Sequence, residues 1–135
     1  MRMRFRLLKS DILREKKDFR KLFERGIVAD GKIIRCRFII EDPVPRLSKH
    51  EAKIGFSIRG IVGSAVDRNR LKRLMRESYR LNKALLRDRL QQRLRSVSLV
   101  LLYPKSPQNS SRVVSFQEFN ADIRHILECV NRKAQ

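Results

Sequence analysis

Apolar residues recur along this chain in distinct rhythms, and each rhythm predicts a kind of element. Over residues 13–25, Leu13, Phe19, Leu22 and Phe23 return with mostly helical spacing, and Gly26 follows as a C-terminal stop, so a first helix is expected there. Over 33–40 the period shortens to two. Ile34, Cys36, Phe38 and Ile40 fall on one face and Arg35 and Arg37 on the other, the pattern of a half-buried strand with a basic outer face. The stretch from Glu41 to His50 is polar and carries prolines, which reads as a connection. It leads to a second strand over 53–59 with Ile54, Phe56 and Ile58 toward the core.

Ser64-Ala-Val-Asp67 has the form of a capping box, in which the serine hydroxyl accepts from the third helical amide and the aspartate reaches back to the cap. A helix is therefore expected from Ala65 at least to Arg87, extending toward Arg95. Val97 to Tyr103 is a continuous apolar run ended by Pro104, the mark of a buried strand, and 104–114 is polar and loop-like. Ser115-Phe-Gln-Glu118 repeats the capping signature. It precedes Phe116, Phe119, Ile123, Ile126, Leu127 and Val130 at helical spacing, an amphipathic last helix. The order helix, strands, helix, strand, helix predicts an α+β protein, a compact two-layer sandwich with the helices on one side of the sheet. No internal repeat occurs. One domain is expected over 1–135, with a basic N-terminal segment at 1–10 and a short tail at 131–135.

Charge changes this picture most. Lys and Arg number 33 against 14 Asp and Glu, a formal net charge of +19, so a polyanionic partner is expected. The 41% of hydrophobic residues sets the chain apart from disordered basic tails and places the charge on a folded surface. No apolar run approaches the roughly 18 to 20 residues of a membrane span. Residues 1–10 have a basic flank but no apolar stretch or small-residue cleavage site of a secretory signal; a cytoplasmic chain without membrane contact is the expectation. Cys36 and Cys129 are not accompanied by a set of Cys and His that suggests a zinc site, and read as small core residues.

Between Arg68 and Arg95 stand eleven basic residues and two acids, Glu77 and Asp88. On a helical projection Leu71, Leu74, Met75, Ser78, Leu85 and Leu86 form one stripe. Asn69, Lys72, Arg73, Arg76, Arg80, Lys83 and Arg87 fall on the opposite side. An ordinary solvated face mixes signs at i and i+4. Here Arg68/Lys72, Lys72/Arg76, Arg76/Arg80 and Lys83/Arg87 are like-charge pairs, a repulsion that a polyanion turns into attraction. Zinc-finger, helix-turn-helix and basic-zipper spacings are missing, which favours RNA over duplex DNA. Phe19 and Phe23 lie one helical turn apart, flanked by Lys16, Lys17, Arg20 and Lys21. They serve either core packing or a stacking platform for a single strand. A nuclease acting by itself is disfavoured, because the acids are scattered and only His50 and His125 are available as an acid–base pair. A structural RNA-binding protein, such as a ribosomal component, fits the charge and the length equally well.

Ile54-Gly-Phe-Ser-Ile58, followed by Gly63-Ser-Ala-Val-Asp-Arg-Asn-Arg-Leu-Lys-Arg-Leu-Met-Arg-Glu77, resembles the protein subunit of bacterial ribonuclease P, with Arg68-Asn69-Arg70 as its RNR motif. The resemblance extends to Asp18-Phe19 and Phe23 upstream and to the 97–103 strand and last helix downstream. It implies a left-handed βαβ crossover, against the usual right-handed rule. It also implies a division of labour: an RNA subunit with bound Mg2+ removes the 5′ leader of precursor tRNA, while the protein holds no cofactor or metal and supplies no catalytic residue. By position, Arg68, Asn69, Arg70, Lys72, Arg73, Arg76 and Arg80 would contact the RNA subunit. Phe19, Phe23, Lys16, Lys17, Arg35, Arg37 and Ser57 would hold the leader. Two departures stand out: Gly60 and Ile61 replace two lysines common in the family, and the segment with Arg87, Arg89, Arg93 and Arg95 is longer than in compact members.

Overall fold

The computed structural model describes residues 7, 9–41, 52–59, 63–93, 95–106 and 114–133, without the side chains of 10, 87–89 and 91–93. After a 3-10 turn at Lys9–Asp11 come α1 (Lys16–Arg25), β1 (Ile27–Asp30), β2 (Arg35–Glu41), β3 (Ala52–Ile58), α2 (Ala65–Arg93), β4 (Ser96–Tyr103) and α3 (Phe116–Lys133). Most of the connection expected at 41–50 and the Gly60-Ile61 departure lie outside the described residues.

Both capping boxes form. Asp67 N–H donates to Ser64 Oγ at 3.2 Å and Ser64 N–H to Asp67 Oδ2 at 3.3 Å. Glu118 N–H donates to Ser115 Oγ at 3.2 Å and Ser115 N–H to Glu118 Oε1 at 3.5 Å. These reciprocal bonds satisfy amides that a helix start leaves open, which is why α2 and α3 begin where the sequence places them. α1 has no such cap and begins at Lys16, not Leu13. Residues 12–13 are instead drawn onto the free edge of β3: Ile12 bridges Ile54 in parallel, and Leu13 N–H donates to Ile54 O at 2.8 Å. An unpaired sheet edge offers those amides a partner that local helical spacing could not reveal.

The described strands form a mixed sheet in the order β1-β2-β4-β3. β1–β2 and β2–β4 are antiparallel, and β3 runs parallel to β4 with α2 as the crossover, a βαβ unit. The strand expected over 33–40 is β2, starting at Arg35; Ile33 and Ile34 belong to the turn, closed by Gly31 N–H to Ile34 O at 2.9 Å. β1 is not evident from the sequence, because four residues with Ile27 and Val28 exposed carry no usable periodicity.

The main core lies between one sheet face and α2 with α3. Cys36, Phe38, Ile54, Val97, Leu99, Leu101 and Tyr103 meet Met75, Tyr79, Leu86 and Leu90 of α2 and Phe119, Ile123, Ile126, Leu127 and Val130 of α3. The α+β sandwich is therefore present. The expectation that all helices share one side holds for α2 and α3 only: Leu22 of α1 packs with Leu13, Val100, Phe19 and Ile39 on the opposite face. One polar device locks the turn between β1 and β2 to α3. The buried Asp122 carboxylate accepts from the N–H groups of Lys32 at 2.6 Å, Ile33 at 3.1 Å and Ile34 at 2.9 Å.

Candidate RNA interface

α2 is a basic helix anchored at its start, and its first turns present the motif residues around its circumference. At about 100° per residue, Arg68, Asn69 and Arg70 point in three directions. Arg68 is half-buried and its Nη1 donates back to Gly63 O at 2.9 Å; Asn69 and Arg70 are exposed. Asn69, Lys72, Arg73 and Arg76, with the exposed Val66, line one shallow groove. Arg76 is held over the Phe56 ring, 5.8 Å from its centroid, so its guanidinium is positioned before any anion arrives. Arg80 forms a two-pronged pair with Glu77, Nε to Oε2 at 3.1 Å and Nη2 to Oε1. That hydrogen bonding raises the Arg80 pKa and lowers that of Glu77.

Two expectations for this helix need correction. Lys83 is not on the cationic face: it is 5% exposed, and its Nζ lies 3.6 Å from Asp11 Oδ2. Leu85, expected in the packed stripe, is 43% exposed, while Tyr79 is buried in the core. Both errors come from projecting 29 residues onto one ideal wheel; the packed stripe follows the sheet and α3, which cover different flanks at different heights. The side chains of Arg87, Arg89 and Arg93 lie outside the described residues.

The second candidate surface is built from α1 and the sheet face beneath it. Phe19 is half-buried and Phe23 is 42% exposed. Lys16 and Phe19 are three apart, and Lys16 and Arg20 four apart, so the two rings share a flank with Lys16 and Arg20. Lys17 points elsewhere and pairs with Glu15 at 3.2 Å. Arg20, which the sequence places beside the two rings but not among the residues carried over as leader contacts, joins this flank through its i+4 spacing from Lys16.

Strand register orders the floor. Val28, Arg37, Val100 and Gly55 form one row across the sheet, and Asp30, Arg35, Leu102 and Ser57 form the next. These residues face α1, since Val100 and Ile39 pack beneath it. Arg37 Nη1 donates to Phe23 O at 3.4 Å, tying the floor to the end of α1. Arg35 is held by Asp30 through Nε at 2.9 Å and Nη2 at 3.1 Å, which raises its pKa by hydrogen bonding first and charge second. That pairing partner is invisible in the sequence because β1 is. Lys16, Arg20, Arg37 and Ser57 therefore surround exposed aromatic surface, a chemistry suited to a single-stranded polyanion with stacking bases.

Among the described residues, no group of three or more His, Cys, Asp or Glu side chains is placed to hold a metal ion, and no helix is long and apolar enough to cross a membrane. Cys36 is buried and Cys129 half-buried, both free thiols.

Fold and charge define a basic α+β protein whose two cationic surfaces suit a polyanion. A family model described as Ribonuclease P matches residues 7–131. The ribonuclease P protein component of Chlorobaculum tepidum is 32% identical over 127 residues, spanning 90% of this chain and 80% of that protein. That of Alkaliphilus oremlandii is 28% identical over 119 residues, 88% and 90% of the two chains. Among solved structures, the RNase P protein from Thermotoga maritima superposes with a TM-score of 0.64 at 22% identity over 89% of this chain and 94% of that one. A Staphylococcus aureus RNase P protein mutant with defective mRNA degradation activity gives 0.67 at 15% identity, covering 90% and 89%. The chain belongs to the ribonuclease P protein family, the protein components of an endoribonuclease.

Proposed function

We propose that this chain assists a catalytic RNA in removing the 5′ leader of precursor tRNA, with α2 on the RNA subunit and the α1 flank and sheet face on the single-stranded leader. The observation that carries this reading is the capped start of α2, which sets Asn69, Lys72, Arg73 and Arg76 along one groove. Such a groove neutralises phosphates with displacement of counterions. Arg68, Arg70 and Arg80 extend the contact around the helix. Phe19 and Phe23 stack on leader bases, while Lys16, Arg20, Arg37 and Ser57 meet its backbone. Arg35 first exchanges Asp30, and Arg80 first exchanges Glu77, for phosphate, while Lys17, paired with Glu15 on another flank, stays outside the contact.

The protein's part is electrostatic and positional: it covers phosphates of two polyanions that would otherwise repel, so its benefit is greatest when magnesium is scarce. Magnesium is the RNA's ion in this reading. Cytoplasmic residence follows from the location of tRNA processing. The test is cleavage of a 5′-extended precursor tRNA at low magnesium with protein alone, a bacterial ribonuclease P RNA alone, and both. Cleavage much faster in the mixture is expected. Cleavage by protein alone, or no effect on the RNA, would overturn the reading.

A further inference from the structure

Building on that reading, we infer that the Asp11–Lys83 ion pair is a positioning device that sets the leader-facing helix α1 in register with the RNA-subunit-facing helix α2. Neither residue is among those that line the α2 groove or pack beneath α1. Lys83 lies late in α2, with its side chain 6% exposed, and Asp11 ends the 3-10 turn, 21% exposed. An ammonium removed from water this far is stabilised by a carboxylate beside it, so the pair ties the turn to α2.

From Asp11 the chain crosses the open edge of β3 within two residues. Ile12 packs with the main core on the α2 side, while Leu13 is buried in the cluster on the α1 side. Backbone pairing to Ile54 fixes this crossing lengthwise. α1 begins three residues after Leu13 with no side-chain cap, resting on the sheet through Leu22 and Phe19. A short strap bolted to α2 at one end and continuous with α1 at the other leaves α1 little freedom to slide or tilt. The separation between the leader's platform and the catalytic RNA is then set by Asp11 and Lys83, without either residue contacting RNA.

The experiment uses full-length protein assembled with a bacterial ribonuclease P RNA. Asp11→Asn, Lys83→Met and the exchange Asp11→Lys/Lys83→Asp are compared with wild type for RNA-subunit affinity, for kcat, and for the affinity ratio of precursor to mature tRNA. The expected result for each single variant is a precursor preference reduced about tenfold, with RNA-subunit affinity and saturating kcat retained, and partial recovery in the exchange variant. An unchanged preference would overturn the inference. So would parallel loss of RNA-subunit and leader affinity, which is the signature of a pair that merely holds the fold together. Absence of any precursor preference in the wild type would instead overturn the leader assignment itself, which separates the two failures.

Discussion

The ring of Phe19 lies over Gly55 with no room for a side chain between them: a Cβ at position 55 would overlap Phe19 Cε1 and Cζ. Gly55 sits in the same sheet row as Val100 and Arg37, so the absent side chain is what lets α1 settle onto the sheet. Gly55→Ala is expected to push the ring outward. The predicted cost is about 1–3 kcal/mol in urea unfolding, the range for overpacking. Weakened binding of precursor tRNA should accompany it, with mature tRNA unaffected. Wild-type stability and discrimination in this variant would show that the contact is slack.

Asp122 makes a different demand on its surroundings. Its carboxylate satisfies three amides of the turn between β1 and β2, and a Cβ on Gly31 would overlap it. Asp122→Ala leaves those donors without their acceptor in a site that is 6% exposed, so a loss of about 3 kcal/mol is expected. Asp122→Asn, which keeps one acceptor oxygen, should lose less. Chemical denaturation of both variants checks the order; equal stability of wild type and alanine variant would refute the staple.

On the α2 groove, Arg73→Ala and Arg76→Ala should each flatten the dependence of RNA-subunit affinity on salt, by about 0.7–0.9 in log–log slope for every phosphate that is no longer neutralised. Lys17→Ala removes a cation that is paired with Glu15 on another surface, and should leave that slope unchanged. Filter binding across a salt series measures all three. A slope insensitive to Arg73 and Arg76 would remove the groove from the interface.

The two thiols should differ in reactivity at neutral pH. Burial pushes the Cys36 pKa far above the usual thiol range, with Asp30 and then Cys129 adding to the effect. Since the thiolate is the reactive form, Cys36 should stay unlabelled by a thiol reagent in the folded protein. Cys129, half-buried on α3, should react first, and Cys36 only after denaturation. Fast labelling of Cys36 in the native state would mean that the sheet opens locally.

Much of the architecture was legible in the sequence because it depends on local chemistry. The capping boxes at Ser64 and Ser115, the alternation through Cys36 and Phe38, and the apolar run over 97–103 each encode an element through interactions within a few residues. The family pattern from Gly63 to Glu77 was likewise contiguous, and it marked α2 as the basic helix before any folding was considered.

What the tertiary structure decided is everything that depends on a partner distant in the chain. Residues 12–13 became an edge pairing because Ile54 lay free beside them, and α1 took the second face because Gly55 left space for Phe19. Arg35 acquired Asp30 through a strand too short to show a period. Lys83 has the same charge as its neighbours on the cationic face, yet it belongs to the interior, where the fold sets Asp11, 72 positions away in the chain, 3.6 Å from its ammonium. Charge and periodicity along a sequence give the content of each surface; which charges remain available to a partner is settled only when folding has spent some of them on one another.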